Sequence, residues 1–498
     1  MSEPLRAVPN VAPGDKPNVN TPSLDWEAME AKRELPRALV GGTDAMRKGK
    51  SKWTPKLKDE TDAQLAARLK HHFLVDFYDS AATDLVDRMF SQGVNLSEDT
   101  PPEILELWEN IDGQGRSGEK FFYDVALEAG RFGMSNAQAD HTKVELDNDG
   151  NPTPLSVAQE TALGRRPFMV HRKSSAVISV EQTEDGSLPK IEETRIRETA
   201  TEKDGEFGQV RVPRVRVLRR GVGGAPATFE VHEADDKGEW QIVVQQTPVR
   251  PPSSGSVSKF VDVFMVPFYM GFERFQFAFP QFGNAAPLCH QHWLKKGDVD
   301  WIEHLANTPS LVLNSENTDF KLQDIGSRKV VIIPSESTLS WLVIDPKGLE
   351  ATKKSIEHLE EHLSMTLKLP RVQKATGRDL VGVRQMDETR PMTRAQMWAM
   401  GIAESITECL QQLAYWKGLE FGGTAEFPKD ALQRLVDPQG FQDVIKMGVA
   451  GMLSKKAVQE QGIVYGRLVD HDVDADLAIL EAQSTAVFPA AGEGADDL

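Results

Sequence analysis

Apolar residues recur at four-residue steps through Leu65, Leu69, Phe73, Phe77, Ala81, Leu85 and Met89, with Asp76, Asp79, Asp84 and Asp87 off the stripe. That spacing predicts one amphipathic helix over 65–90. Phe122, Val125, Ala126 and Ala129 predict another from about Gly118 to Phe132. Over 165–248 the period changes to two: "RPFMVHRKSSAVISVEQ", "IEETRIRETA", "QVRVPRVRVLRR" and "EWQIVVQQ" read as strands separated by Gly and charged turns. Helical spacing returns over 285–306, and "PSLVLNS" and "RKVVIIP" then read as strands. A long helix is predicted from Pro346, with Leu349, Ile356, Leu359, Leu363 and Leu367 as its stripe and Asp345-Pro346 as its start. Gly377, Gly382, Pro391 and several charges predict a loop over 370–392. A third long helix is predicted over 393–417, burying Ala399, Ile402, Ile406, Leu410, Leu413 and Trp416 and ending at Gly418. Two short helices fit 439–450 and 454–461, the second capped by Ser454. The mixture of periods defines an α+β protein.

A chain of 498 residues exceeds what one hydrophobic core supports and implies several domains or lobes. With 40% hydrophobic and 27% charged residues the chain is expected to fold. Residues 1–24 and the acidic stretch 481–498 lack periodicity and read as a flexible arm and a disordered tail. No run is long and apolar enough to predict a membrane span, and no secretion signal is visible. The formal charge of −18, from 57 Lys and Arg against 75 Asp and Glu, argues against a surface that wraps nucleic acid. It suits a conduit along which a duplex slides without sticking.

The candidate chemistry is sparse. Gly49-Lys50-Ser51 has Asp44 where a phosphate-binding loop needs its first Gly, and no strand precedes it, so no nucleotide cofactor is expected. Cys289, His290 and His292 form a compact set of metal-ligand types without a second pair at conventional spacing, so packing is favoured and no metal is expected. His71 and His72 point in different directions on a helix. The aromatics of "ERFQFAFPQF", from Phe272 to Phe282, fit a core or interface better than base stacking. Arg211, Arg214, Arg216, Arg219 and Arg220 alternate with valines. Such a strand faces phosphates or pairs with acidic strands such as the one carrying Glu192, Glu193 and Glu198, and pairing is the favoured reading. No catalytic residue is nominated, and the chain is not expected to be an enzyme.

The order of segments resembles the phage portal family, in particular a prophage portal-like group with a domain of unknown function. "LVGGTDAMRKG" at 39–49 is similar to that group's opening element. "RPFMVHRKSSAVISVE", "IRETA" and "RVRVLRRG" are similar to its central strands. "VPFYMGFERF" precedes "APLCHQHWLKKGDVDWIEHLANTPSLVL", and "ATGRDLVGVRQMDETRPMTRAQMWAMGIAESITECLQQLAYWKGL" resembles the family's closing region and long helix. Lys374-Ala375-Thr376 departs from the usual Glu-Thr-Ala. Each motif is weak alone; collinearity over about 35–480 carries the resemblance.

The resemblance implies a portal-like fold with wing, helical stem, strand-rich clip and helical crown. In this chain that places the wing at 25–280, a first stem helix at 281–306, the clip at 307–345 and a second stem helix at 346–369. The tunnel-loop candidate falls at 370–392, and the long helix and crown at 393–480. It implies a homo-oligomeric ring, generally a dodecamer, at one capsid vertex of the virion, assembled in the host cytoplasm. Its implied partners are the terminase large subunit, the major capsid and head-completion or adaptor proteins, and double-stranded DNA in transit. Lys368, Arg371, Lys374, Arg378, Arg384 and Arg390 would be channel residues that guide DNA, or partners of carboxylates on neighbouring subunits. The alternatives are another capsid or tail structural protein, or a cytoplasmic enzyme.

Overall fold

In the computed structural model the chain divides into two compact units, one built from Met1–Met29, Thr83–Phe279 and Val372–Leu498, the other from Glu30–Ala82 and Pro280–Arg371. The structure describes residues 17–141, 164–183, 189–223, 225–235, 238–248, 261–307, 310–314, 338–342, 346–367, 381–428, 445–447, 449–450 and 454–464, with single positions at 159, 162 and 477.

The first unit is α+β and layered. Helices α5 (Pro102–Glu109), α6 (Gly118–Phe132) and α9 (Val381–Lys417) cover one face of a three-stranded antiparallel sheet. Its strands are β2 (Met134–His141), β3 (Pro167–Arg172) and β9 (Met265–Tyr269), in the order β3-β2-β9. The alternation of β2 explains the layering. Ala137 and Ala139 turn toward Phe121, Phe122, Val125, Ile402, Ile406 and Leu410, while Gln138 and Asp140 take the opposite face. That second face meets a five-stranded antiparallel sheet of order β4-β5-β6-β7-β8. Its strands are β4 (Val177–Gln182), β5 (Ile191–Asp204), β6 (Gly208–Arg219), β7 (Thr228–Ala234) and β8 (Trp240–Pro248).

The boundaries of α6 are local chemistry. Ser117 accepts a bond from the Lys120 amide at its start, and Gly133, at φ 91°, ends it in a conformation that disfavours side chains. The helix occupies the predicted span. Residues 18–23, inside the stretch expected to be a flexible arm, lie along the five-stranded sheet. Arg195 donates to the Thr21 carbonyl at 2.9 Å, Arg197 to the Asn20 carbonyl at 3.0 Å, and the Ser23 amide to the Ile178 carbonyl at 2.9 Å.

Helix α9 begins at Val381, so the expected loop over 370–392 is helical over its second half. Gly382 and Pro391 suggested the loop. Two unfavourable residues in a helix of 37 are tolerated when the rest is held by packing, here from Ala399 to Trp416, all six predicted stripe residues being buried. The predicted helix over 439–450 lies mostly outside the described residues. The Ser454 cap is present: its hydroxyl accepts from the Ala457 amide at 3.1 Å, ahead of α10 (Lys455–Val464).

The second unit is mainly helical. It contains α2 (Gly42–Lys48), α3 (Asp62–Leu69), α7 (Ala286–Asn307) and α8 (Pro346–Leu367). Met46, Leu65, Leu69, Tyr78, Cys289, Trp293, Leu359 and Leu363 form its core. The single helix expected over 65–90 is interrupted. It ends at Leu69 and restarts as α4 (Phe77–Phe90), leaving Phe73 57% exposed. Side-chain capping causes the break: Arg47 donates to the carbonyls of Lys70 and His72, Thr43 accepts from the Leu74 amide, and Asp76 accepts from the Asp79 amide to start the new helix.

Helices α7 and α8 run antiparallel. His292 bonds Glu360, Lys295 bonds Ser355, and Lys353 pairs with Glu303. At about 1.5 Å per residue each is about 33 Å long. Between them β12 (Ser310–Asn314) pairs antiparallel with β13 (Thr338–Leu342), from Ser310↔Leu342 to Asn314↔Thr338.

Trp293 is fully buried in the second unit and donates its indole N–H to Thr54 Oγ1 at 3.0 Å. Trp293→Ala removes that volume and orphans Thr54, and is expected to cost about 3–5 kcal/mol. Chemical denaturation should show the loss as a lower transition midpoint; an unchanged midpoint would contradict the assigned core.

Candidate functional site

The strand rich in arginine is the first place to look for phosphate contacts, and the fold spends its charge internally. Arg214 pairs with Glu202 at 2.6 Å and Glu233 at 2.7 Å, Arg219 with Glu193 and Glu230 at 2.8 Å each, and Arg220 with Asp262 at 2.7 Å. These are register effects, since β6 lies between β5 and β7, both of which supply carboxylates. The reading of an ion-paired strand is therefore the structural one.

Arg216 belongs to a buried network where the two sheets of the first unit meet. Glu198 Oε1 accepts from Arg216 Nε at 2.9 Å and lies 2.6 Å from Arg172 Nη1. Arg172 Nε donates to Gln138 Oε1 at 2.7 Å, and Asp140 lies 3.6 Å from Arg216. Burial alone would raise the Glu198 carboxyl; Arg172 and Arg216 together outweigh it and hold the group below the usual carboxylate range. Nearby, Gln138, Ala139, Leu218, Ala227, Thr228, Asp262, Val263 and Phe264 line a small hollow.

Helix α7 of the second unit carries the metal-ligand types and sends them to separate partners. Cys289 is buried, and burial pushes its thiol up to about 12, so it stays protonated. His290 Nε2 donates to the Trp53 carbonyl at 2.7 Å, and His292 Nε2 donates to Glu360 at 3.0 Å. Among the described residues no three His, Cys, Asp or Glu side chains converge to hold a metal ion. No described helix is long and apolar enough to cross a membrane. Lys50, in the segment set aside as a phosphate-binding loop, is exposed, adopts φ 47° and opens a short 3-10 turn over Lys50–Lys52.

His71 and His72 follow α3 instead of lying on it, and they diverge. His71 stacks on His304 with ring centroids 4.2 Å apart. His72 is fully buried with its ring 5.2 Å from Trp293, and neither ring nitrogen has a hydrogen-bond partner. Burial, with a lesser push from Arg68 and Arg47, lowers it to about 4 against the opposing pull of Asp300 and Glu60. Gly297 makes the space: a Cβ there would sit 2.1 Å from His72 Nδ1. Beside it Arg68 makes two 2.9 Å bonds to Glu60 and a third to the Pro55 carbonyl. Sequence reading did not find this pair, because neither a buried Arg nor a neutral His has a local pattern.

Of the sequence-nominated channel residues, Arg384 and Arg390 fall on α9, and Lys368, Arg371, Lys374 and Arg378 lie outside the described residues.

The class defined by this architecture is an α+β protein with a helix–strand-pair–helix element feeding a long helix. That element coincides with the stretch recognised by family comparison: residues 282–417 match the family described as Domain of unknown function (DUF4055). No curated protein matches the chain. Among solved structures, the chain is similar to one titled neck of a native GTA particle computed with C12 symmetry, at 10% identity and TM-score 0.36, over 78% of this chain and 88% of that one. It is also similar to a chain of the virion of a native gene transfer agent particle, at 12% identity and TM-score 0.36, over 84% of this chain and 98% of that one.

Two outcomes follow from the buried groups. His72 binds fewer protons folded than unfolded between about 4 and its ordinary 6.5, so its contribution is complete above 6.5 and is lost as pH falls toward 4. His72→Phe is expected to flatten that part of the stability-against-pH curve, and an unchanged slope would refute the assignment. Glu198→Gln removes the anion shared by the buried Arg172 and the partly buried Arg216 and is expected to cost about 1.5–3 kcal/mol at neutral pH; urea unfolding checks it.

Proposed function

We propose that this chain is the subunit of a phage portal, a closed ring at one capsid vertex through which double-stranded DNA is packaged and ejected. The observation that carries the reading is the antiparallel pair α7 and α8, joined through β12 and β13 and followed by α9. This is the helix, strand, helix, long-helix order expected from the stem, clip and crown of the family that the sequence resembles. Two parallel-sided helices with one apolar stripe each are suited to stand side by side around an axis, and a closed ring satisfies every head-to-tail contact.

On this reading the terminase large subunit, head-completion proteins and capsid dock on the ring, and the motor elsewhere supplies the energy. The acidic surface keeps the duplex mobile, and the positive excess over 368–390 offers weak contacts to phosphates without base readout. Lys368, Arg371, Lys374, Arg378, Arg384 and Arg390 are assigned that guiding role.

Negative-stain microscopy of the purified full chain is expected to show closed rings with an axial opening. A monodisperse 55.2 kDa monomer at every salt and protein concentration would overturn the proposal. Within an assembling system, Lys374→Gln, Arg378→Gln and Arg384→Gln together are expected to leave the ring intact and shorten the packaged DNA. Loosened rings would instead make these residues contacts between subunits.

A further inference from the structure

Helix α8 buries Ile356, Leu359, Leu363 and Leu367 and turns another side to solvent. His358 and His362 lie on the exposed side, four residues apart. Residues at that spacing stand one above the other on a helix, with Cβ atoms about 5–6 Å apart. Two imidazoles so placed can bind one metal ion through a nitrogen each, at the metal–nitrogen distance of about 2.0–2.1 Å.

The other described histidines are engaged elsewhere. His72 is buried against Trp293, and His171 bonds Ser135. His232 bonds Glu230, His290 the Trp53 carbonyl and His292 Glu360. His141 stacks on Trp416, and His71 and His304 stack on each other. His358 and His362 differ, because both rings stand in solvent. The ring of His358 has one neighbour among the described residues: its Nδ1 lies 3.5 Å from Glu361 Oε2, with His358 83% exposed. A carboxylate on one ring nitrogen fixes the tautomer, turns the other nitrogen outward and raises its basicity. Imidazoles that bind metals usually have that support.

The local charge also suits a cation. Glu357 and Glu361 are exposed on the same stretch of helix and are opposed there by Lys354, since Lys353 is paired with Glu303. Sequence spacing carries the same signal: His358-Leu359-Glu360-Glu361-His362 has the His-x-x-Glu-His order found in a class of zinc sites. Those sites add a third protein ligand. Here, among the described residues, no third His, Cys, Asp or Glu joins the pair. The arrangement is therefore a two-armed chelate, with its remaining coordination positions left to water.

We propose that His358 and His362 form a binding site for one late first-row divalent metal ion, with Glu361 orienting His358. Two imidazoles with water suit Cu2+ best, ahead of Ni2+ and Zn2+. Mg2+ and Ca2+, which take oxygen ligands, are not expected to bind there. A bound ion ties two successive turns of α8 and stabilises the folded chain by mass action. The site belongs to one helix of one chain and stands whether or not the chain forms a ring.

The test uses the full chain, titrated with Cu2+ and followed by calorimetry and electron paramagnetic resonance. The parent is expected to take up one tightly held ion whose spectrum shows two imidazole nitrogens. His358→Gln and His362→Gln are each expected to remove that site, and the double variant to lose no more, because a chelate fails with either arm. Glu361→Gln is expected to weaken it about tenfold. All three positions are exposed, so metal-free circular dichroism and melting temperature are expected to stay at the parent values. His71→Gln, which breaks the His71–His304 stack, is expected to leave the titration unchanged. Fewer than two nitrogens in the parent spectrum would overturn the proposal. So would parent-like affinity in either single variant, or loss of the site on His71→Gln instead.

Discussion

The carboxylate of Glu198 between Arg172 and Arg216 is the constraint from which the first unit's architecture follows. A buried carboxylate is tolerated only when its charge and lone pairs are matched, and here β3 and β6 each supply one guanidinium group while β5 supplies the anion. A one-residue slip of β5 against β6 would turn Glu198 to the other face and leave two cations unmatched. The network therefore sets register between strands and sheet-on-sheet placement at once. It contributes specificity more than net stability, since a well-packed apolar replacement of the same volume is often as stable. The dry part of the interface is adjacent, where Val177, Ile191, Ile196, Leu218 and Met265 pack together.

The second unit solves a similar problem with fewer matched groups. Arg68 is almost fully buried and nearly saturated, with Glu60, the Pro55 carbonyl and Asp298 around it. His72, next to it, is buried without a partner and must stay neutral. Trp293 and Gly297 of α7 hold that position, one by its ring and the other by its missing Cβ. Helix α7 thus serves as a packing spine whose polar residues are capped one by one: His290 by Trp53, His292 by Glu360, Lys295 by Ser355.

Legibility followed the range of the interactions. Helix α6 and α8 were readable to their ends because Ser117, Gly133 and Pro346 act on neighbouring backbone. Strands β3 to β6 and β8 were readable from period, and the pairing of the basic strand from its acidic neighbours in sequence, whereas β7 was not nominated. The break between Leu69 and Phe77 was not, because the group that caps the interrupted helix is Arg47, more than twenty residues away. Helix α9 was read short for the opposite reason: Gly382 and Pro391 are strong local signals, and the packing that overrides them lies further along the same helix. The Arg172–Glu198–Arg216 network joins residues distant in sequence, and the burial of Arg68 and His72 depends on Asp298, Trp293 and Gly297 far along the chain, so no spacing announces either.

The pairing of arginines also fixes what positive charge remains exposed. With Arg214, Arg216 and Arg219 matched by carboxylates, β6 keeps Arg211 as its exposed arginine without an ion-pair partner among the described residues. The exposed Lys48, Lys50 and Lys58 have no ion-pair partner among the described residues, whereas Lys56 pairs with Asp62 at 2.9 Å. Exposed charges of this kind act over a Debye length of about 8 Å at physiological salt. Against the chain's overall −18 they produce short-range attraction on a repulsive background. If the chain forms the proposed ring, that balance suits a sliding duplex: weak local contacts would guide it, and the surrounding carboxylates would keep any one contact from becoming a bound state.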